Sequence, residues 1–343
     1  MLDLLNSPLN EKEKRKGEIT MALESKYIWM NGELVEFEKA NVHFLTSTMH
    51  YGLGVFEGIR CYDTPKGPAV FRLQEHSQRL VDSVKILDMP ELEYSVEQVS
   101  EAILQTVKVN EFAECYIRPL VYLTEGGMGL NFIGAKSGLG IAVWEWGNFL
   151  GDEAMENGIR ANISTFTRHH INVMMTKSKA AGNYVNSAMA KTESVKMGFD
   201  EAIMLDPQGY VAECTGENIF LVRGGKIYTP PLATVLGGIT RDALLTIARE
   251  LGYEVIEQPI SRDMLYTADE VFVCGTAAEV VALSEIDFRK IGSGKTGPVA
   301  RELQKVFTAV VHGKDPNYEN WLSYVADIQV PVDLSQSTSV SAD

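Results

Sequence analysis

A chain of 343 residues with 45% hydrophobic and 22% charged residues has an ordinary globular composition, and its length suits two domains better than one. With 46 acidic residues against 31 basic ones the formal charge is −15, a surface that repels nucleic acid and anionic membranes. No window approaches the roughly 18 consecutive apolar residues of a membrane span. The first residues, including Glu11-Lys12-Glu13-Lys14-Arg15-Lys16, lack the apolar centre of a signal peptide.

Residues 1–20 are polar and read as a disordered extension, and Met21 could itself serve as a start. Tyr27-Ile28-Trp29-Met30, Asn31-Gly32 and Leu34-Val35 predict a β-hairpin, because Asn-Gly suits a two-residue turn. A helix is expected over 74–87, with Leu80, Val84 and Leu87 at helical spacing. A second is expected over 96–109, where Ser95 and Gln98 suit a capping box and Val96, Val99, Ile103 and Val107 share a face. Strands follow at Cys115 to Tyr122 and Leu139 to Trp146.

The stretch 147–158 is acidic, carries three glycines and lacks strong periodicity, so it reads as a linker. It would divide a small α+β domain over 21–146 from a larger one over 159–332. Beyond it, strands near 159–166, 201–205, 218–222, 253–257 and 270–274 accompany helices near 186–197, 241–251 and 299–311. The last helix has Leu303, Val306, Phe307 and Val310 on one face. The Ser-rich tail over 333–343 reads as disordered. Two α+β domains with a cleft between them is the expected architecture.

Cys61, Cys115, Cys214 and Cys274 are far apart in sequence, with no Cys-x-x-Cys pair. That usage suits reduced, buried thiols in a cytoplasmic protein rather than a disulfide framework or a zinc site.

The chemistry centres on Lys179, in Thr176-Lys177-Ser178-Lys179-Ala180-Ala181-Gly182-Asn183-Tyr184. A lysine followed by small residues fits a cavity with room for a planar cofactor, and a neutral amine is what forms a Schiff base. By itself, a lysine among basic residues reads as a solvated loop residue. Its companions decide otherwise. Tyr51-Gly52-Leu53-Gly54-Val55-Phe56-Glu57-Gly58-Ile59-Arg60, Tyr116-Ile117-Arg118-Pro119, Lys179 to Tyr184, Glu213-Cys214-Thr215-Gly216-Glu217-Asn218, Gly237-Gly238-Ile239-Thr240-Arg241 and Gly275-Thr276-Ala277-Ala278-Glu279 occur in this order. Together they resemble the branched-chain amino acid aminotransferases of the class IV pyridoxal-phosphate group, from about Tyr27 to Trp321.

The resemblance implies the class IV fold, with pyridoxal 5'-phosphate in the interdomain cleft. It also implies reversible amino transfer between L-leucine, L-isoleucine or L-valine and 2-oxoglutarate through pyridoxamine phosphate. Lys179 would carry the cofactor and, once released, the proton. Glu213 would face the pyridine nitrogen and keep it protonated. Tyr184 would bond the phenolic oxygen. Arg79, Thr276 (in Cys274-Gly275-Thr276-Ala277-Ala278, which reads as a strand-to-helix turn) and the glycine-rich turn Gly238, Ile239 and Thr240 would hold the phosphate, the turn through unpaired N–H groups at a helix N-terminus.

For the substrate, Tyr116 and Arg118 lie two apart in a strand and so share a face, which the resemblance sets beside the substrate carboxylate. Thr276 and Ala277 would add main-chain N–H groups. Tyr51, Phe56, Gly58, Trp146 and Tyr184 correspond to pocket positions. Leu130, in Met128-Gly129-Leu130, would reach a neighbouring subunit's pocket, which implies at least a homodimer. Phe149 stands where many relatives have tyrosine, a departure that bears on pocket polarity.

Other signals point nowhere. Gly52-Leu53-Gly54 with Gly58 has the wrong spacing for a dinucleotide loop. Gly292-Ser293-Gly294-Lys295-Thr296 lacks the first P-loop glycine, which would fall at Arg289. His169-His170 are adjacent and have no third ligand nearby, so no metal is expected. The rivals on the same fold are D-amino acid and (R)-amine aminotransferases and aminodeoxychorismate lyases, against which Tyr116-Ile117-Arg118-Pro119 and Met128-Gly129-Leu130 argue. A non-catalytic cofactor carrier would leave Lys179, Glu213, Arg118 and Tyr116 together unexplained.

Overall fold

Asn31 and Gly32 take φ of 50° and 98° between the strands Tyr27–Met30 and Glu33–Glu36, the left-handed pair that closes a two-residue hairpin. The computed structural model describes residues 24–125, 128–145 and 151–328. The extension over 1–20, the tail over 333–343, Trp146, Phe149 and residues 147–150 of the expected linker lie outside the described residues.

Among the described residues the hairpin belongs to an eight-stranded antiparallel sheet. Its other strands are Gly54–Phe56, Ile59–Tyr62, Ala69–Phe71, Cys115–Glu125, Lys136–Trp144 and Leu322–Tyr324. The helices Leu73–Ile86 and Val96–Asn110 cover one face, where Leu80, Val84, Val99, Ile103 and Val107 pack against Ile117, Val121, Leu139 and Ile141. Ser95 Oγ accepts from the Gln98 N–H and Gln98 Oε1 from the Ser95 N–H, which is the expected capping box.

The second sheet has nine strands among the described residues. Glu279–Ile286 and Ile159–Ile163 run parallel, as do Ile159–Ile163 and Glu201–Leu205. Val211–Cys214 pairs antiparallel with Glu201–Leu205, and Asn218–Arg223 with Glu270–Gly275. On one side the helices Ile239–Glu250 and Pro298–Val311 bury Leu244, Leu303, Phe307 and Val310 against Phe220 and Phe272. Tyr62 and Phe71 of the first sheet enter the same cluster. Each large side chain buried there contributes about 1.5–3 kcal/mol, so apolar packing holds the two domains together.

Two features depart from the expected boundaries. Leu322–Tyr324 lies in the span assigned to the larger domain, yet it pairs with Ala69–Phe71 and covers that edge of the first sheet. Within the stretch read as a linker, Gly151–Asn157 is a helix, and the Met155 carbonyl accepts from Thr296 and Gln304. The four cysteines are free and buried. Cys61 and Cys115, distant in sequence, face each other across adjacent strands.

Candidate active site

Lys179 is held by its backbone from two directions. Its N–H donates to Ser83 Oγ at 3.0 Å, on the helix Leu73–Ile86, and its carbonyl accepts from the Phe56 N–H at 3.0 Å. Small residues make this approach feasible, since Gly182 lies against Gly52 and Ala180 forms a bridge to Val55. The short 3-10 turn Ala181–Asn183 then leads into the helix Tyr184–Lys196 and folds Tyr184 back over the lysine. Lys179 Nζ lies 2.8 Å from the Tyr184 hydroxyl and 5.1 Å from the centre of the Phe56 ring.

Glu213 lies near the end of the strand Val211–Cys214 and is buried. Its carboxylate accepts from Arg168 Nε at 2.7 Å and from the Leu236 N–H at 3.2 Å. Burial pushes its carboxyl above the usual range, and the Arg168 charge and Leu236 N–H oppose that push. Glu217, four residues on, lines the same cavity. Burial and the charge of Glu201 raise its carboxyl to about 8, against the pull of Lys191.

A polar cradle lies beside these groups. The helix Ile239–Glu250 begins after Gly238, which has no side chain to cap it, so its first N–H groups are left for the cavity lined by Gly238, Ile239 and Thr240. Gly238 is required by close packing: a Cβ there would lie 2.0 Å from Asn218 Oδ1. Arg79 reaches the same turn, donating from Nη1 to the Gly237 carbonyl at 2.7 Å. Thr276 also lines the cradle. It lies between the strands Glu270–Gly275 and Glu279–Ile286, not at the strand-to-helix turn its sequence suggested, because the chain turns straight back into the sheet.

The cavity widens to about 610 Å³ between the two sheets, where Phe56, Gly58, Tyr116, Arg118, Lys179, Tyr184, Thr276 and Ala277 form its wall. Tyr116 and Arg118 share one face of Cys115–Glu125, as period two requires. The Arg118 guanidinium sits 4.8 Å from the Phe56 ring centre, 5.4 Å from that of Tyr116 and 5.8 Å from that of Trp144. Its buried Nε has no hydrogen-bond partner among the described residues. Gly58 leaves room for Tyr116, whose hydroxyl would lie 2.0 Å from a Cβ at that position.

Some expected residues are elsewhere. Tyr51 does not line this cavity: it ends the helix Ser47–Tyr51, is 40% exposed, and its hydroxyl donates to the Met128 carbonyl. Leu130 is 79% exposed, on the loop that Tyr51 touches, outside its own chain's cavity. Trp146 lies outside the described residues, and Trp144, unremarked in the sequence, faces Tyr116 across the ladder. Arg168 and Glu57 were also missed, since each meets its partner only through folding. Neither has a local signature. Among the described residues no group of three His, Cys, Asp or Glu side chains is placed to hold a metal ion. His169 keeps both ring nitrogens buried and without a hydrogen-bond partner among the described residues, its pKa pushed down to about 4 by burial and by Arg168. No helix among the described residues is long and apolar enough to cross a membrane.

Comparison with known proteins agrees with this fold. Residues 54–286 match the family described as amino-transferase class IV. The branched-chain-amino-acid aminotransferase of Pseudomonas aeruginosa is 48% identical over 307 residues, spanning 90% of this chain and 100% of that protein. A branched-chain amino acid aminotransferase from T.th., crystallised with pyridoxamine 5'-phosphate, gives a TM-score of 0.86 at 48% identity, over 88% of this chain and 99% of that one. The Escherichia coli branched-chain amino acid aminotransferase also gives 0.86, at 44% identity, over 88% of this chain and 100% of that one.

Proposed function

This chain belongs to the class IV aminotransferase family, and we propose that it moves the amino group of L-leucine, L-isoleucine or L-valine onto 2-oxoglutarate, with pyridoxal phosphate as its cofactor. The observation that carries the reading is one cavity wall: Lys179 and Glu213 lie beside an uncapped helix N-terminus, and aromatic rings surround Arg118. The residues fit a flat phosphorylated cofactor. Arg79, Thr276 and the turn Gly238, Ile239 and Thr240 line the cavity with donors suited to a phosphate, and Glu213 offers a buried carboxylate to a ring nitrogen.

Bound pyridoxal phosphate supplies a carbonyl that captures amines and a ring that stabilises charge at the substrate's α-carbon. The chain's own groups do the rest. Arg79, Thr276 and the N–H groups of Ile239 and Thr240 hold the phosphate. Tyr184 fixes the Lys179 amine by its hydroxyl at 2.8 Å, and Lys179 Nζ accepts and returns the α-proton. Arg118 and the Tyr116 hydroxyl orient a substrate carboxylate, with the Thr276 and Ala277 main chain nearby. Phe56 and the ring of Tyr184, 4.8 Å apart, exclude water beside an aliphatic side chain.

The active form is at least a homodimer in this reading. Leu130, Met128 and Tyr51 form exposed apolar surface in the single chain, and a partner covering it would bring Leu130 over that partner's cavity. A monomer at working concentration in sedimentation experiments would overturn this. Four free, buried cysteines support a reducing, cytoplasmic location; recovery of the chain in a secreted fraction would count against it.

The test of the activity is spectroscopic. The purified yellow protein should bleach on addition of L-leucine and regain its colour with 2-oxoglutarate. Indifference to L-leucine, with a response to D-alanine or an (R)-amine, would move the function to another branch of the family. A protein that binds no pyridoxal phosphate would overturn the reading at its root.

A further inference from the structure

The turn Glu57-Gly58 joins the strands Gly54–Phe56 and Ile59–Tyr62. Phe56 and Gly58 line the cavity, whereas Glu57 is fully buried against the helix Leu73–Ile86. Both its oxygens are occupied. Oε1 accepts from Arg79 Nε at 2.6 Å, and Oε2 accepts from Arg79 Nη2 at 2.8 Å and from His76 Nδ1 at 2.7 Å. Burial works to protonate this carboxyl, but Arg79 and His76 outweigh it and hold its pKa well below the usual range. Its backbone is fixed too, since the Glu57 N–H donates to the Pro119 carbonyl.

An arginine offers five N–H donors in a rigid plane. Glu57 takes the edge formed by Nε and Nη2, and the Gly237 carbonyl takes one donor of Nη1. One N–H on each terminal nitrogen remains for the cavity that Arg79 lines. A long arginine without such a partner must be ordered each time it binds an anion, whereas this one is ordered in advance. Glu57 also cancels most of the Arg79 charge, so the pair acts on a phosphate through bond direction more than through net attraction.

We propose that Glu57 is a positioning residue for the cofactor phosphate, presenting Arg79 to it in a single orientation, with His76 as its second support. The inference rests on the reading that Arg79 meets that phosphate. It does not require Glu57 to touch the cofactor.

The experiment compares pyridoxal phosphate with phosphate-free pyridoxal, each titrated into the full-length chain stripped of cofactor and followed by visible absorbance. Both aldehydes react with Lys179, so the ratio of their affinities isolates the phosphate. Glu57→Gln should lower the affinity for pyridoxal phosphate roughly tenfold or more and leave that for pyridoxal within about twofold of wild type. A purely structural role would weaken both alike, and dominance of net charge would tighten pyridoxal phosphate; either result overturns the proposal. If Glu57→Gln does not fold, His76→Gln, which leaves the ion pair in place, should show the same selectivity to a smaller degree, and equal losses for both ligands would overturn it. Arg79→Ala separates the two levels of argument. If it retains the wild-type ratio, the assignment of Arg79 to the phosphate fails; if it loses the ratio while the Glu57 and His76 variants keep it, only the positioning role fails.

Discussion

Arg168 and Glu213 form a buried ion pair, Nε to Oε1 at 2.7 Å, with side chains only 7% and 6% exposed. Arg168 thereby opposes the burial that would otherwise neutralise the carboxylate proposed to face the cofactor's ring. Arg168→Met should push the Glu213 carboxyl further up and cost about 3–5 kcal/mol of stability, because a buried charge loses its partner. Urea unfolding measures the stability, and a stopped-flow single turnover with L-leucine should be slower. An unchanged midpoint with an unchanged turnover rate would remove both roles.

Glu213→Gln addresses the ring-facing role directly. It keeps the shape and removes the charge, so the proton-transfer step should slow more than cofactor binding weakens. A single-turnover rate equal to wild type would sink the electron-sink role of Glu213.

Lys179→Ala should abolish turnover with L-leucine while circular dichroism stays native. Tyr184→Phe removes the hydroxyl 2.8 Å from the Lys179 amine and should slow turnover roughly tenfold. A wild-type turnover rate in that variant would mean that the contact does not orient the lysine.

Gly58→Ala adds a methyl that would lie 2.0 Å from the Tyr116 hydroxyl. Tyr116 must shift, and it carries Arg118 and Trp144 with it through ring contacts. Steady-state kinetics should give KM for L-leucine raised about tenfold, with a smaller change in kcat. A wild-type KM would place Tyr116 outside substrate recognition.

Glu217 gives a pH signature of stability. Its carboxyl is raised to about 8 in the fold by burial and Glu201, with Lys191 opposing and Glu213 adding a smaller push. The unfolded chain releases this proton near the ordinary glutamate value of 4.5, so the native state holds a proton that the unfolded state lacks. Stability from this group is therefore present below pH 4.5 and is lost as pH rises towards 8. Glu217→Gln should unfold at a higher denaturant midpoint than wild type at pH 8, with the difference shrinking towards pH 4.5. A constant difference across that range would show that Glu217 is ionised throughout.

Local patterns carried a large part of the fold. The Asn31-Gly32 hairpin, the Ser95 and Gln98 capping box and the amphipathic helices Val96–Asn110 and Pro298–Val311 depend on backbone preferences and apolar spacing within a few residues. The strand Glu279–Ile286 was not anticipated. Its burial comes from neighbours on both sides, Glu270–Gly275 and Ile159–Ile163, and such a strand lacks a clear alternation. The strand Leu322–Tyr324, inside the span given to the larger domain, was not anticipated either, since three residues carry no signal of which edge they will cover.

The site divides along the same line. The family resemblance carried by the ordered motifs pointed to Lys179, Glu213, Arg79, Tyr184 and the turn at Gly238 as one site, although none of them reads as functional alone, and the fold brings all five to one cavity. Only the tertiary structure decided that Arg168 would meet Glu213, that Glu57 would grip Arg79, that Trp144 would face Arg118, and that Tyr51 would turn outward towards Met128. Those pairings join residues far apart in sequence. Their energies depend on distance and burial, and both exist only once the two sheets have packed.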